Sequence, residues 1–239
     1  MQNRDRINKA LAARFVNYQN LISIPIIENS DPMRDVADFS LSADLAASAL
    51  PSSTGSVLVL RQSVCERLLR AQEILQVDKP GYKLVLTYAY RSMEIQCASF
   101  EKMKRELGLG DRTDPEAMER THHFIAVPEV AGHPTGGAVD LMIVDADGNA
   151  LDFGTGMHAL EQDSYFFSPF ISDAATNNRK LLRRVMQAAD FAPYDGEWWH
   201  YSYGDREWAA YYGEPLAFYS QLPESAVAGF YSSAAVNVA

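Results

Sequence analysis

At 239 residues, 47% of them apolar and 22% charged, the chain has enough material for one sizeable core, which excludes a disordered or low-complexity polymer. A net charge of −10 disfavours nucleic acid and anionic membrane surfaces as partners, leaving small or cationic ligands open. No stretch reaches about 18 uninterrupted apolar residues, so no membrane span is expected.

The first segment, with charges at Arg4, Asp5, Arg6 and Lys9, lacks the apolar run and cleavage site of a signal peptide, which makes the cytoplasm the default expectation. Arg6 to Tyr18 reads as a short amphipathic helix. Leu21 to Ile27 is apolar but interrupted by Pro25, as in an edge strand or an extended entry segment. Residues 1–56 are expected to wrap the rest of a single domain that spans 1–239, and residues 214–239 read as a tail.

From Ser56 to Val77 the spacing predicts a helix, because Val64, Leu68, Ala71 and Leu75 fall on one stripe with Arg61, Glu66, Arg67 and Arg70 mostly off it. Lys79-Pro80-Gly81 stops it. Lys83 to Tyr90 is β-rich and mostly apolar, a buried strand. Arg91 follows, then a second helix over Met93–Leu107 that ends at Gly108. Residues 108–131 are loop-like, with a turn of helix at Asp114-Pro115-Glu116. Gly137 to Val144 is a strand and Asp145 to Asn149 its hairpin turn. Phe153 to Asp173 is aromatic and irregular; Tyr165, Phe166, Phe167 and Phe170 would line a pocket or pack under a loop. Asn177 to Ala189 is a third helix and Glu197 to Tyr203 a last strand. Cys65 and Cys97 read as a pair of buried thiols or, in a secreted chain, one disulfide.

Two stretches carry chemistry. Asp195-Gly196-Glu197-Trp198-Trp199-His200 sets a carboxylate and an imidazole three residues apart. At a zinc ion the His would be a ligand, and the Glu, outside the coordination shell, would take a proton from activated water. Further ligands come from Gly132-His133-Pro134-Thr135-Gly136-Gly137-Ala138-Val139-Asp140. In a straight strand His133 and Asp140 would be about 23 Å apart and on opposite faces, so the chain must fold back between them. Pro134-Thr135-Gly136-Gly137 is turn chemistry in the right place. His133 is expected before a tight turn and Asp140 inside the strand that leaves it. A flat strand would also send Glu197 and His200 to opposite faces, so a bulge or strand end is expected there. His122-His123 reads as a loop-surface pair, leaving His158 as the remaining histidine near the site.

His133-x-x-Gly136-x-Ala138-x-Asp140 followed by Glu197-x-Trp199-His200 resembles the D-alanyl-D-alanine dipeptidases, zinc peptidases that share a fold with murein D,D-carboxypeptidases and the hedgehog signalling domain. Tyr90-Arg91-Ser92 is similar to the family's Tyr-Arg segment, and the resemblance covers about residues 80–205. It implies an α+β fold, a mostly antiparallel sheet flanked by helices, and one Zn²⁺ held by His133, Asp140 and His200. It implies Glu197 as general base and later acid, Arg91 as stabiliser of the oxyanion, and a small peptide as substrate, with Tyr90 and His158 beside it. Two positions depart from the family pattern. Ala131 stands where the family usually has Ser, and His158 where it has the Asp that holds a substrate ammonium; Asp152, Glu161 or Asp163 would then have to supply that charge. The expected function is a zinc-dependent dipeptidase for D-Ala-D-Ala or a similar short D-amino-acid dipeptide. The alternatives are a carboxypeptidase or amidase acting on an N-blocked substrate, and a zinc-stabilised interaction domain without turnover.

Overall fold

The computed structural model describes residues 2–48, 50–52 and 54–230. In chain order they form α1 (Gln2–Ala12), α2 (Tyr18–Ile22), β1 (Met33–Asp35), β2 (Ser42–Ala43), β3 (Val59–Arg61), α3 (Gln62–Asp78), β4 (Lys83–Tyr88), α4 (Met93–Glu106) and α5 (Pro115–His122). There follow β5 (Ala138–Val144), α6 (Asp173–Ala188), β6 (Ala192–Pro193), β7 (His200–Ser202) and α7 (Arg206–Tyr212), with single 3₁₀ turns between several of them. Five strands pair in the order β2-β4-β5-β7-β6, all antiparallel except β2 with β4. β1 and β3 form a separate antiparallel pair. The expected α+β class with a mostly antiparallel sheet is the one observed.

Strand alternation explains how this sheet serves two purposes. Along β5, Val139, Leu141 and Ile143 point into the main core, where they meet Leu84 and Leu86 of β4 and Tyr201 of β7. The expected stripe of α3 (Val64, Leu68, Ala71, Leu75) and the Leu182, Val185 and Met186 face of α6 cover that side. Each fully buried leucine there contributes about 1.5–3 kcal/mol, so the helix-covered face carries much of the stability. Asp140 and His200 alternate to the opposite face. Their side chains belong to the other purpose.

Several boundaries differ from expectation. The helix read from Ser56 begins only at Gln62, because Val57-Leu58-Val59-Leu60 is an apolar run rich in β-branched valine that goes extended, and Val59 to Arg61 form β3. Arg61 is therefore fully buried instead of lying off a helix stripe. α6 starts at Asp173, four residues before the expected Asn177, because the Ser172 side chain accepts from the N–H of Ala175 and caps it. The single turn expected at 114–116 extends to eight residues in α5, capped by Asp114 with Pro115 at its first position. The last strand is shorter than 197–203, leaving Glu197 in the turn before it. At the N-terminus the helix ends at Ala12, Tyr18–Ile22 is a second helix, and only Ile26 of the apolar run bridges to Ala217. Cys65 is buried, Cys97 is exposed, and both are free thiols. Of the tail, Val227 is buried against Met33, Val59 and Tyr90; residues 231–239 lie outside the described residues. Among the described residues no helix is long and apolar enough to cross a membrane.

Candidate metal centre

His133 opens a 3₁₀ turn over His133–Thr135 that closes at Gly136 in a left-handed conformation, φ 71°. A side chain at Gly136 would be strained at that φ, and its Cβ would lie 2.6 Å from Met33 Sδ. The turn is gripped from behind by Arg61, whose Nε donates to the Thr135 carbonyl at 2.8 Å. The same guanidinium makes a two-pronged pair with Glu28, at 2.9 and 3.0 Å, and donates to the carbonyls of Asp31 and Ser220. Segments from both ends of the chain thus clamp the turn that carries His133, a buried use of arginine that satisfies its planar fork.

Pairing register delivers the other two. Asp140 of β5 sits directly opposite His200 of β7, and opposite Tyr88 of β4 after a β-bulge between Leu86 and Tyr88. One ligand atom from each of His133, Asp140 and His200 lies within 4.8 Å of the others, and all three residues are buried. Among the described residues this is the group that could hold a metal ion.

The donor set fits one. His133 Nδ1 lies 2.7 Å from the Ala89 carbonyl, an acceptor, which puts the ring proton on Nδ1 and leaves Nε2 a lone pair. Burial, against the pull of Asp140, lowers the His133 pKa to about 4, so the ring is neutral. Its Nε2 nevertheless faces Asp140 Oδ2 at 3.4 Å. Two acceptors facing each other in a dry site call for a cation between them. His200 presents Nδ1 to Asp140 Oδ1 at 3.0 Å, while its Nε2 lies 3.4 Å from Glu207 Oε2. Although burial alone pulls the His200 pKa down, hydrogen bonds with Asp140 and Glu207 hold it well above the usual range. The Asp140 carboxyl, penalised by burial, is held well below its usual range by His133, His158 and His200.

The site opens into a pocket whose wall includes Arg91, Glu197, His158, Trp199, Tyr194 and Glu207. Arg91 donates through Nε to the Tyr88 hydroxyl at 3.1 Å and through Nη1 to Gln96 Oε1 at 2.9 Å. Both partners are neutral, which leaves the guanidinium charge for an incoming anion. Burial raises the Glu197 pKa to about 7, with His200 opposing and Asp140 reinforcing the shift. His158, left-handed at φ 56°, puts Nε2 3.0 Å from Asp140 Oδ2.

Three expectations about placement need correcting. Tyr90 is not brought to the pocket: its ring packs with Met33, Val59 and Val227, and its hydroxyl donates to the Leu222 carbonyl, while Tyr88, two residues earlier, contacts Arg91. His122 is no surface residue. It is 3% exposed at the end of α5, accepts the Val127 N–H on Nδ1 at 3.2 Å and lines the pocket. Asp152, Glu161 and Asp163 stay out: Asp152 accepts from Ser172 and Gly154, Asp163 pairs with Arg4, and Glu161 is exposed. Of the four aromatic residues at 165–170, none lines the pocket; Tyr165 and Phe166 are buried, Phe167 and Phe170 exposed. Glu207 was not legible as a site residue, since it arrives on α7 with no motif linking it to His200.

An α+β fold that gathers two imidazoles and a carboxylate within 4.8 Å, beside a half-buried glutamate and an arginine held by neutral partners, is the donor set of a metal-dependent hydrolase. The chain belongs to the D-ala-D-ala dipeptidase family, Peptidase_M15, whose profile matches residues 50–219. It is 30% identical over 198 residues to a D-alanyl-D-alanine dipeptidase of Synechocystis sp., covering 70% of this chain and 80% of the relative. A D-alanyl-D-alanine dipeptidase of Escherichia coli (strain K12) is 28% identical over 143 residues, 60% of this chain and 65% of the relative. Among solved structures, VanYB in complex with D-alanine-D-alanine aligns at 17% identity and a TM-score of 0.41, covering 80% of this chain and 92% of that one, too distant a likeness to bear on the site.

Proposed function

We propose that the chain is a zinc-dependent dipeptidase that hydrolyses D-Ala-D-Ala or a similar short D-amino-acid dipeptide. The observation that carries the reading is the convergence of His133, Asp140 and His200 within 4.8 Å beside Glu197, in a chain whose family and curated relatives are named for that activity. His133 Nε2, Asp140 and His200 Nδ1 would hold one Zn²⁺ per chain and leave a fourth position open. Bound there, zinc supplies a Lewis acid that polarises a carbonyl oxygen and lowers the pKa of water to about 7.

The chain's own residues account for the rest. Glu197, with its pKa near neutrality, is suited to take a proton at its carboxylate and return it to the leaving amine. Arg91 supplies positive charge where negative charge develops on the scissile carbonyl, and Tyr88 and Gln96 hold its guanidinium in place. Trp199, 1% exposed, and the apolar rim at Leu50, Pro51 and Leu160 help keep bulk water from the reacting groups.

A second reading has its own support. His158 occupies the expected ammonium-binding position and is turned onto Asp140, and no carboxylate from residues 152–163 lines the pocket. A carboxypeptidase or amidase that takes an N-blocked substrate would have no need of one. Hydrolysis of D-Ala-D-Ala, N-acetyl-D-Ala-D-Ala and L-Ala-L-Ala by zinc-loaded protein separates the readings. Cleavage of the free dipeptide supports the first, cleavage of only the blocked one the second, and turnover of neither contradicts both.

A further inference from the structure

The dipeptidase reading leaves His158 without a task at the metal, although its ring touches a ligand. His158 Nε2 lies 3.0 Å from Asp140 Oδ2, the oxygen that His133 Nε2 faces at 3.4 Å. Yet the ligand atoms that lie within 4.8 Å of one another come from His133, Asp140 and His200, and His158 is not among them. It meets the carboxylate from outside the group that would hold the ion. An ionised carboxylate only accepts, so the proton of this contact sits on Nε2 and His158 is the donor.

Packing alone does not call for an imidazole here. The ring stands edge-on to Trp199 and Tyr88, with centroids 5.6 and 6.0 Å away. Its Nδ1 is buried and has no hydrogen-bond partner. The backbone is left-handed at φ 56°, which is uncommon for a residue with a side chain. Leucine would fill the space between those two rings without burying an unpaired nitrogen. Proton accounting around Asp140 supplies the missing reason. A metal on His133 Nε2 and His200 Nδ1 leaves neither of those atoms a proton to donate. Of the three imidazoles around Asp140, only His158 then still donates to it.

We propose that His158 is a positioning residue for the metal, whose Nε2–H holds the Asp140 carboxylate in the orientation that faces both histidine ligands and so sets how tightly the centre binds a divalent cation. The inference rests on the metal-site part of the dipeptidase reading, and deepens it by giving Asp140 a partner as Glu207 is a partner to His200. Ligating carboxylates need such outer partners as much as ligating imidazoles do, because a free carboxylate rotates and presents its lone pairs in many directions.

Zinc affinity, read by competition with a chromophoric chelator, tests this without any assay of turnover. The wild type is measured first; if it binds no zinc, the metal-site reading has failed and the proposal falls with it. His158→Leu keeps bulk and removes the donor, and is expected to weaken zinc binding about 10–100-fold. His158→Gln places an amide N–H at about the reach of Nε2 and should recover most of that loss. Both variants carry the same left-handed backbone, so the difference between them reads the hydrogen bond. If the leucine variant does not fold, His158→Ala takes its place. A leucine or alanine variant that binds zinc as tightly as the wild type overturns the proposal. So does a glutamine variant that loses as much as the apolar one, because packing would then account for the whole effect.

Discussion

The Nε2 of His200 lies 3.4 Å from an oxygen of Glu207, a carboxylate whose side chain is only 12% exposed, and that contact fixes which ring nitrogen is free to bind a metal. Partners of this kind set the tautomer and raise the basicity of a ligating imidazole, and losing one typically weakens metal binding about 10–100-fold. Glu207→Gln, which keeps shape and removes charge, should therefore weaken zinc binding by that factor. Competition against a chromophoric chelator reads it directly; an unchanged dissociation constant would leave Glu207 without a role at the metal.

Zinc binding should release protons. Hydrogen bonds with Asp140 and Glu207 outweigh burial and keep the metal-free His200 ring protonated at pH 7, and a metal at Nδ1 must displace that proton. His133 is already neutral and Asp140 already ionised, so they add none. Calorimetric titration with zinc in buffers of different ionisation enthalpy should give about one proton released from the protein per zinc at pH 7, and affinity should rise with pH.

Glu197→Gln separates binding from chemistry. The residue lies outside the ligand set, so the variant should bind zinc as the wild type does and lose about 10²–10⁴-fold in kcat. A variant that loses zinc as well would make Glu197 a ligand or a structural prop.

His122 gives a stability test away from the ligands. Burial depresses its folded pKa from 6.5 to about 4. Between those values the unfolded chain binds a proton that the folded chain refuses. Stability from this group is therefore fully present above pH 6.5 and is lost as pH falls towards 4. His122→Asn keeps an acceptor for the Val127 N–H and removes the titration. Urea unfolding of zinc-free protein at pH 7 and pH 5 should show the variant losing about 2 kcal/mol less than the wild type across that interval.

What the sequence disclosed and what it withheld divide along physical lines. His133 and Asp140 were legible because only a tight turn reconciles their spacing, and Gly136 supplies the left-handed residue such a turn needs. Glu197 and His200 were legible because strand parity forbids them a common face unless the strand ends between them, as it does at the start of β7. Arg61 was misplaced because an apolar run before a helix has no local marker of where extended backbone stops. Glu207, His122 and Tyr194 reach the pocket from α7, the end of α5 and the segment before β7, brought together only by tertiary packing. Tyr90 and Tyr88 show the same limit at close range, since a β-bulge two residues upstream decides which of the two tyrosines meets Arg91.

The central claim, that a metal held by His133, Asp140 and His200 makes this chain a peptidase, is tested most directly by one assay. D-Ala-D-Ala is incubated with zinc-loaded protein, with chelator-stripped protein, and with stripped protein given zinc back. Hydrolysis that disappears on stripping and returns with zinc, and that His133→Ala abolishes, is the predicted result. Hydrolysis that survives complete removal of the metal would contradict the account.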